Sequence, residues 1–244
     1  MNKKALDNSK SIYVVDRKMI IRYGNEIFKK LYNKIDFETF ELITPYKDST
    51  SYFKDKNHVY LDSYMCGQAI LKDADPHSFH IVDLEKGLAS CSNGDYYFDN
   101  KIPFNLADAI ELSSFYQKVK GDIYFAYQQK LIGVDVDTFK IVGPDFNFAR
   151  DKNHFIYRNE IVPEIYINTF KFLPECFEGE YYQGQDHAWY AVDANNAYFV
   201  NTVSPSIKII KVKNPEDFKF EVINKQGYGI YGDARYYFGK KKRK

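Results

Sequence analysis

Short alternating runs of apolar and polar residues dominate this chain. They include Lys140-Ile-Val, Lys219-Phe-Glu-Val and His80-Ile-Val, and each is a few residues long. Alternation at period two predicts short, half-buried β-strands. Each run follows one recurring phrase. Its copies are Asp36-Phe-Glu-Thr-Phe40, Asp75-Pro-His-Ser-Phe79, Glu111-Leu-Ser-Ser-Phe115, Asp135-Val-Asp-Thr-Phe139, Tyr166-Ile-Asn-Thr-Phe170 and Asn214-Pro-Glu-Asp-Phe218. Asp or Asn in first place accepts hydrogen bonds from the free amides of a helical turn. Pro76 and Pro215 follow the cap directly, where a fixed φ suits the first helical position. The Phe is large and constant, so it predicts a buried anchor. The intervals between these Phe residues vary from 24 to 48 residues, less regular than the identical rungs of a solenoid or propeller.

A second phrase lies between copies of the first: Asp55-Lys-Asn-His-Val-Tyr60 and Asp151-Lys-Asn-His-Phe-Ile-Tyr157, with a weaker form in Asp193-Ala-Asn-Asn-Ala-Tyr198. Degenerate forms are Gly94-Asp-Tyr-Tyr-Phe98, Gly121-Asp-Ile-Tyr-Phe125 and Gly232-Asp-Ala-Arg-Tyr-Tyr-Phe238. Clustered Asp, Asn and Gly mark a turn, and the flanking aromatic and β-branched residues make it a hairpin. Together the two phrases predict a mainly β chain, an irregular repeat of three-stranded antiparallel units. Each unit is a hairpin, a capped turn and a strand. The units form a stacked or meandering sheet, with a propeller-like arrangement as the alternative. One repeat-built domain is expected over residues 1–244.

The Asp-Lys-Asn-His phrases, each followed by a Ser/Thr-Phe-strand phrase, resemble the motif of the bacterial DKNYY family. The resemblance covers roughly residues 50 to 223. It implies the fold more than the role. It also implies a kinship with small cytoplasmic proteins that accompany secreted bacterial toxins.

Composition changes the picture in three places. Aromatic residues make up 18% of the chain, with 22 Tyr and 20 Phe against one Trp, which fits pleated, half-buried surfaces. Lys and Arg number 34 against 33 acids, so the chain as a whole offers no field that draws nucleic acid. The basic run Lys240-Lys-Lys-Arg-Lys244 reads as a solvated tail. Three cysteines, Cys66, Cys91 and Cys176, do not predict a disulfide framework, and no apolar segment near Met1 predicts export. A cytoplasmic protein without a membrane partner is expected.

Candidate chemistry is sparse. His58 and His154 share one phrase position, as turn residues do. His77 and His80 lack a Cys or carboxylate to complete a zinc set. Nothing beside Cys176 activates its thiol for a pairing with His187, since Glu175 and Glu178 raise a thiol's pKa. Gly227-Tyr-Gly-Ile-Tyr-Gly232 lies between strand-like aromatics and not before a helix, unlike a phosphate loop. Asp55 with Asn57, and Asp151 with Asn153, place oxygens at alternate positions, but the other carboxylates of a calcium loop are missing. A self-bonded Asx turn accounts for them. No metal, cofactor or catalytic set is expected.

One segment interrupts the pattern. Residues 174–187 carry four acids and no Lys or Arg. Insertions of this kind map to loops, often on a binding face. Glu175, Glu178, Glu180, Tyr181, Tyr182 and Asp186 are therefore the expected partner-binding residues. Such a surface suits a basic protein partner, for example a nuclease toxin whose cleft normally holds phosphates. The expected function is a non-catalytic immunity protein that neutralises a cognate toxin by direct binding. The alternative is a hydrolase-like enzyme with a site assembled from distant loops.

Overall fold

A computed structural model describes residues 2–9, 11–43, 49–143, 147–173, 188–201, 206–224 and 226–242. Its strands form seven separate four-stranded sheets, each an antiparallel meander in which every strand pairs with its sequence neighbour. None closes into a barrel. The helical residues among those described are single 3-10 turns at Lys29–Leu31, Leu106–Asp108 and Pro215–Asp217. Among the described residues no helix is long and apolar enough to cross a membrane.

The unit is thus four-stranded, not the three-stranded one expected. The capped turn lies between sheets, and the strand after it opens the next sheet. In four sheets the extra strand follows a tight turn and is only two residues long: Asn100–Lys101, Gln129–Lys130, Glu160–Ile161 and Lys240–Lys241. Two residues are too few to show any periodicity. The tight turn itself is visible in backbone angles: Phe98 and Arg158 are its first residues, with φ of 54° and 58°.

The chain divides into two compact units, Met1–Ala109 and Ile110–Lys244. In the first unit, neighbouring residues on one strand face different cores. Phe53 on Thr50–Lys54 and Tyr60 on Val59–Ser63 join Ile12, Val14 and Ile20 of the first sheet. Tyr52, Val59 and Leu61 join Ala89 and Tyr96 of the third. The second sheet is therefore covered on both faces, and its central strands are buried almost continuously. Burial on both faces erases the polar half of the alternation.

The second unit repeats this arrangement. On the fifth sheet, Ala149 and Ile156 face Tyr116 and Ile123, while Phe148 and Phe155 face the sixth sheet's Trp189 and Tyr198. Buried tyrosines join successive sheets through their hydroxyls. Tyr52 donates to Gly87 O at 3.1 Å in the first unit. In the second, Tyr116 donates to Arg158 O, Tyr157 to Asn201 O and Tyr190 to Tyr236 O, each at 2.8 Å. The hydroxyl end of a buried Tyr requires a partner, and here the partner is the next sheet's backbone.

Of the six anchor rings, Phe40, Phe79 and Phe218 are buried. Phe115, Phe139 and Phe170 are half-buried but still packed against a core. Phe115 is not an anchor of the expected kind. Its phrase connects the first two strands of the fourth sheet, Ala109–Glu111 and Tyr116–Val119. The capped turn before that sheet is Asn105-Leu-Ala-Asp108, where the Asn105 side chain accepts from Ala107 N at 2.8 Å and Ala109 stands in the Phe place.

Candidate functional site

The residues most distinctive in sequence converge on one construction, found three times. Asp55 begins a turn whose backbone closes from Asp55 N to His58 O at 3.0 Å. Its Oδ1 accepts from Asn57 N and His58 N at 2.7 and 2.8 Å. Its Oδ2 accepts from Asp36 N, the head of the preceding capped turn, and from Tyr60 Oη, both at 2.7 Å. The capped turn answers in kind: Thr39 Oγ1 accepts from Lys56 N at 3.1 Å. One buried carboxylate thus fixes a hairpin turn to the turn that starts its own sheet.

Asp193 does the same, taking Asn195 N, Asn196 N, Tyr166 N and Tyr198 Oη within 2.6–2.8 Å. Asp151 takes Asn153 N, His154 N and Asp135 N within 2.6–2.7 Å. Its phrase places Ile156 five residues on, where the other two place Tyr. His154 supplies the missing donor, with Nδ1 at 3.1 Å from Asp151 Oδ2. His58, beside a Tyr, stands farther off at 3.9 Å. The two histidines share a position in sequence but not a role.

The electrostatics follow from these bonds. Burial pushes the Asp151 carboxyl up, but the summed hydrogen bonds from Asp135 N, His154 and Asn153 N outweigh it and hold the pKa below the usual value. Burial, reinforced by the bonds to Asp55 and Asp193, pushes the hydroxyls of Tyr60 and Tyr198 far up. At the surface, the Lys56 ammonium lies 2.6 Å from Asp36, and Lys152 lies 2.6 Å from Asp135. These lysines, with the capping Thr39 and Thr138 bonds, bring both carboxyls down to about 2.

The third sheet varies the construction. Cys91, buried, occupies the carboxylate's place, with Tyr96 five residues later donating to Lys72 O at 2.8 Å. Ser92 N still reaches a capping hydroxyl, Ser78 Oγ at 2.9 Å. Asp75 accepts from His77 N at 3.0 Å and Ser92 Oγ at 2.8 Å. In the degenerate phrases, Asp95 and Asp122 belong to the strand after the turn rather than leading it. Asn214 also departs from expectation: its side chain accepts no capping bond, and its Nδ2 donates to Asp217 Oδ2 at 3.2 Å.

A model of the DKNYY family matches residues 13–202. The chain belongs to the DKNYY family. The match begins earlier than the resemblance read from sequence, taking in most of the first sheet. It ends at the sixth sheet, so the seventh lies outside it. The DKNYY turn is the construction just described, with its carboxylate buried and saturated by donors of the chain itself. No curated protein and no solved structure matches this DKNYY chain.

Among the described residues, no three His, Cys, Asp or Glu side chains converge as metal ligands. His77 is exposed, and His80 Nδ1 lies 3.2 Å from Ser78 O. The expected partner-binding residues Glu175, Glu178, Glu180, Tyr181, Tyr182 and Asp186 lie outside the described residues, as do Cys176 and His187. Their segment connects Lys171–Phe172 to Ala188–Val192, the first two strands of the sixth sheet.

Proposed function

We propose that this DKNYY protein is a non-catalytic binding protein, an immunity protein that neutralises a cognate bacterial toxin by direct contact. One observation carries the reading. The three family-motif carboxylates commit both of their oxygens to the chain's own donors. A carboxylate occupied in this way is not a general base, which needs a free lone pair within reach of a substrate proton. The motif then serves the fold, and recognition belongs to the surface. The acidic, tyrosine-rich segment 174–187 suits a basic toxin domain, such as a nuclease, with carboxylates standing in for phosphates. The toxin acts in the cytoplasm, and neutralisation takes place there.

The test is co-expression with the toxin encoded beside this chain in a sensitive strain. Growth that depends on this protein, with co-purification of the pair, is the expected result. Growth without it, or no complex, rejects the immunity role. Glu178→Lys with Glu180→Lys should slow association in a salt-dependent way and leave the melting temperature unchanged. Full protection by that double variant rejects the loop and leaves the role standing.

A further inference from the structure

The net charge of the whole chain hides a division. Residues 219–244 hold eight Lys and Arg against two acids, Glu221 and Asp233, a net charge of +6. With +1 for the whole chain, the preceding 218 residues are at −5. Its described residues, 219–224 and 226–242, form the seventh sheet with five Lys and Arg against those two acids, and they lie outside the family match.

Its two faces differ. The inner face turns Phe218, Phe220 and Tyr236 toward the core that holds Tyr190. The outer face carries a cavity of about 920 Å³ whose described lining is Glu221, Tyr228, Ile230, Gly232, Asp233, Arg235 and Lys242, all from this sheet. Tyr228 and Tyr237 lie together there, with ring centroids 5.3 Å apart and planes tilted by 37°. Lys242 Nζ stands 4.9 Å from the centre of the Tyr237 ring. Lys219, opposite Ile230 in the ladder, is exposed beside them.

We propose that this face binds single-stranded nucleic acid. Aromatic rings between cations form the arrangement that takes a flexible polyanion, because every base has a π-face to stack and every phosphate needs a countercharge. Tyr228 and Tyr237 are the stacking platform, and Arg235, Lys242 and Lys219 meet the backbone. The concavity favours this occupant over an anionic bilayer, which needs apolar side chains that project rather than line a hollow. With Lys219, three cations stand on this face against Glu221 and Asp233, and that positive excess beside aromatic faces favours it over an acidic protein surface, which offers the rings nothing to stack.

The experiment is fluorescence anisotropy of labelled oligo(dT) and oligo(U) on the full chain across a salt series. Binding should weaken steeply with salt, and the slope should shallow by roughly 0.7 for each phosphate contact removed. Tyr228→Ala should lower affinity by roughly tenfold or more. Arg235→Glu, an exposed position, should lower it as well without changing the melting temperature. No binding at low salt overturns the proposal. So does binding lost on replacing Arg243 and Lys244 but indifferent to Tyr228→Ala and Arg235→Glu, which assigns the effect to the tail. Tighter binding to phosphatidylserine vesicles or polyglutamate than to either oligonucleotide also overturns it. Toxin neutralisation does not enter these measurements, so either reading can fail without the other.

Discussion

Replacing Asp151 by Asn separates charge and acceptor number from shape. Asp151 is 1% exposed and accepts four hydrogen bonds. An Asn retains one acceptor oxygen and turns an NH2 toward the other donors. If the NH2 faces Asp135, His154 can accept through its other tautomer, but Asp135 N is orphaned. If it faces the turn, the amides of both Asn153 and His154 are orphaned. Each buried orphan costs about 1–3 kcal/mol, and the surviving bonds lose their charge assistance, roughly 1 kcal/mol each. The expected loss is about 3 kcal/mol, a large part of the about 5–15 kcal/mol that holds a typical domain folded. Trp189, the chain's single Trp, is a suitable probe: it is 5% exposed and its ring lies 5.8 Å from that of Phe148, three residues before Asp151. Urea unfolding followed by its fluorescence should show the midpoint fall. His154→Ala, which removes one partly exposed donor, should cost about 1 kcal/mol. An Asp151→Asn protein within about 0.5 kcal/mol of the parent, the ordinary range of a surface change, would refute the reasoning.

Further outcomes follow from the same geometry. Tyr60→Phe and Tyr198→Phe each remove a hydroxyl bonded to a buried carboxylate, at 2.7 and 2.6 Å, and should cost about 1–3 kcal/mol in denaturant titrations. Gly229→Ala should destabilise by about 1–3 kcal/mol, because the added Cβ would lie within 3.0 Å of the Phe218 and Tyr190 rings. A parent-like melting temperature would show that the seventh sheet packs less closely. Asp36, Asp75 and Asp135 have carboxyls lowered to about 2, and Asp151 is lowered too. A depressed carboxyl stabilises above its unfolded pKa and loses that contribution as pH falls through the folded one. Melting temperatures should therefore be level near neutrality and fall between about pH 4 and pH 2. A flat profile there would contradict these bonds.

The strands were legible because alternation and turn chemistry are local signals. Asp55 and Asp151 were recognisable as turn carboxylates for the same reason. Their second task, holding Asp36 N and Asp135 N, spans 19 and 16 residues and has no local signature. The fourth strand was too short to see in four sheets, where it is two residues long. Phe115 misled because Ser-Ser-Phe imitates the capped phrase, while the true turn at Asn105 had lost its Phe to Ala109. Cys91 in a carboxylate's place was hidden by Asp95 four residues along, whose Gly-Asp pair imitates the turn although it belongs to the strand after it. The uncovered basic face was within reach of sequence: charge summed over the last sheet rather than the whole chain displays it. The role of Ile156 and His154 could be read only in three dimensions, where one side chain's loss is met by another's donor.

Three carboxylates hold nine turn amides: Asp36, Asn57 and His58; Asp135, Asn153 and His154; Tyr166, Asn195 and Asn196. Amide hydrogen exchange read by NMR tests this directly. The nine amides should be protected nearly as well as those of the central strands, though they lie in hairpin and capped turns. Replacing Asp193 by Ala should expose the Tyr166, Asn195 and Asn196 trio first. Exchange at the rate of open loops in the parent protein would contradict the account, because the family's motif would then hold nothing in place.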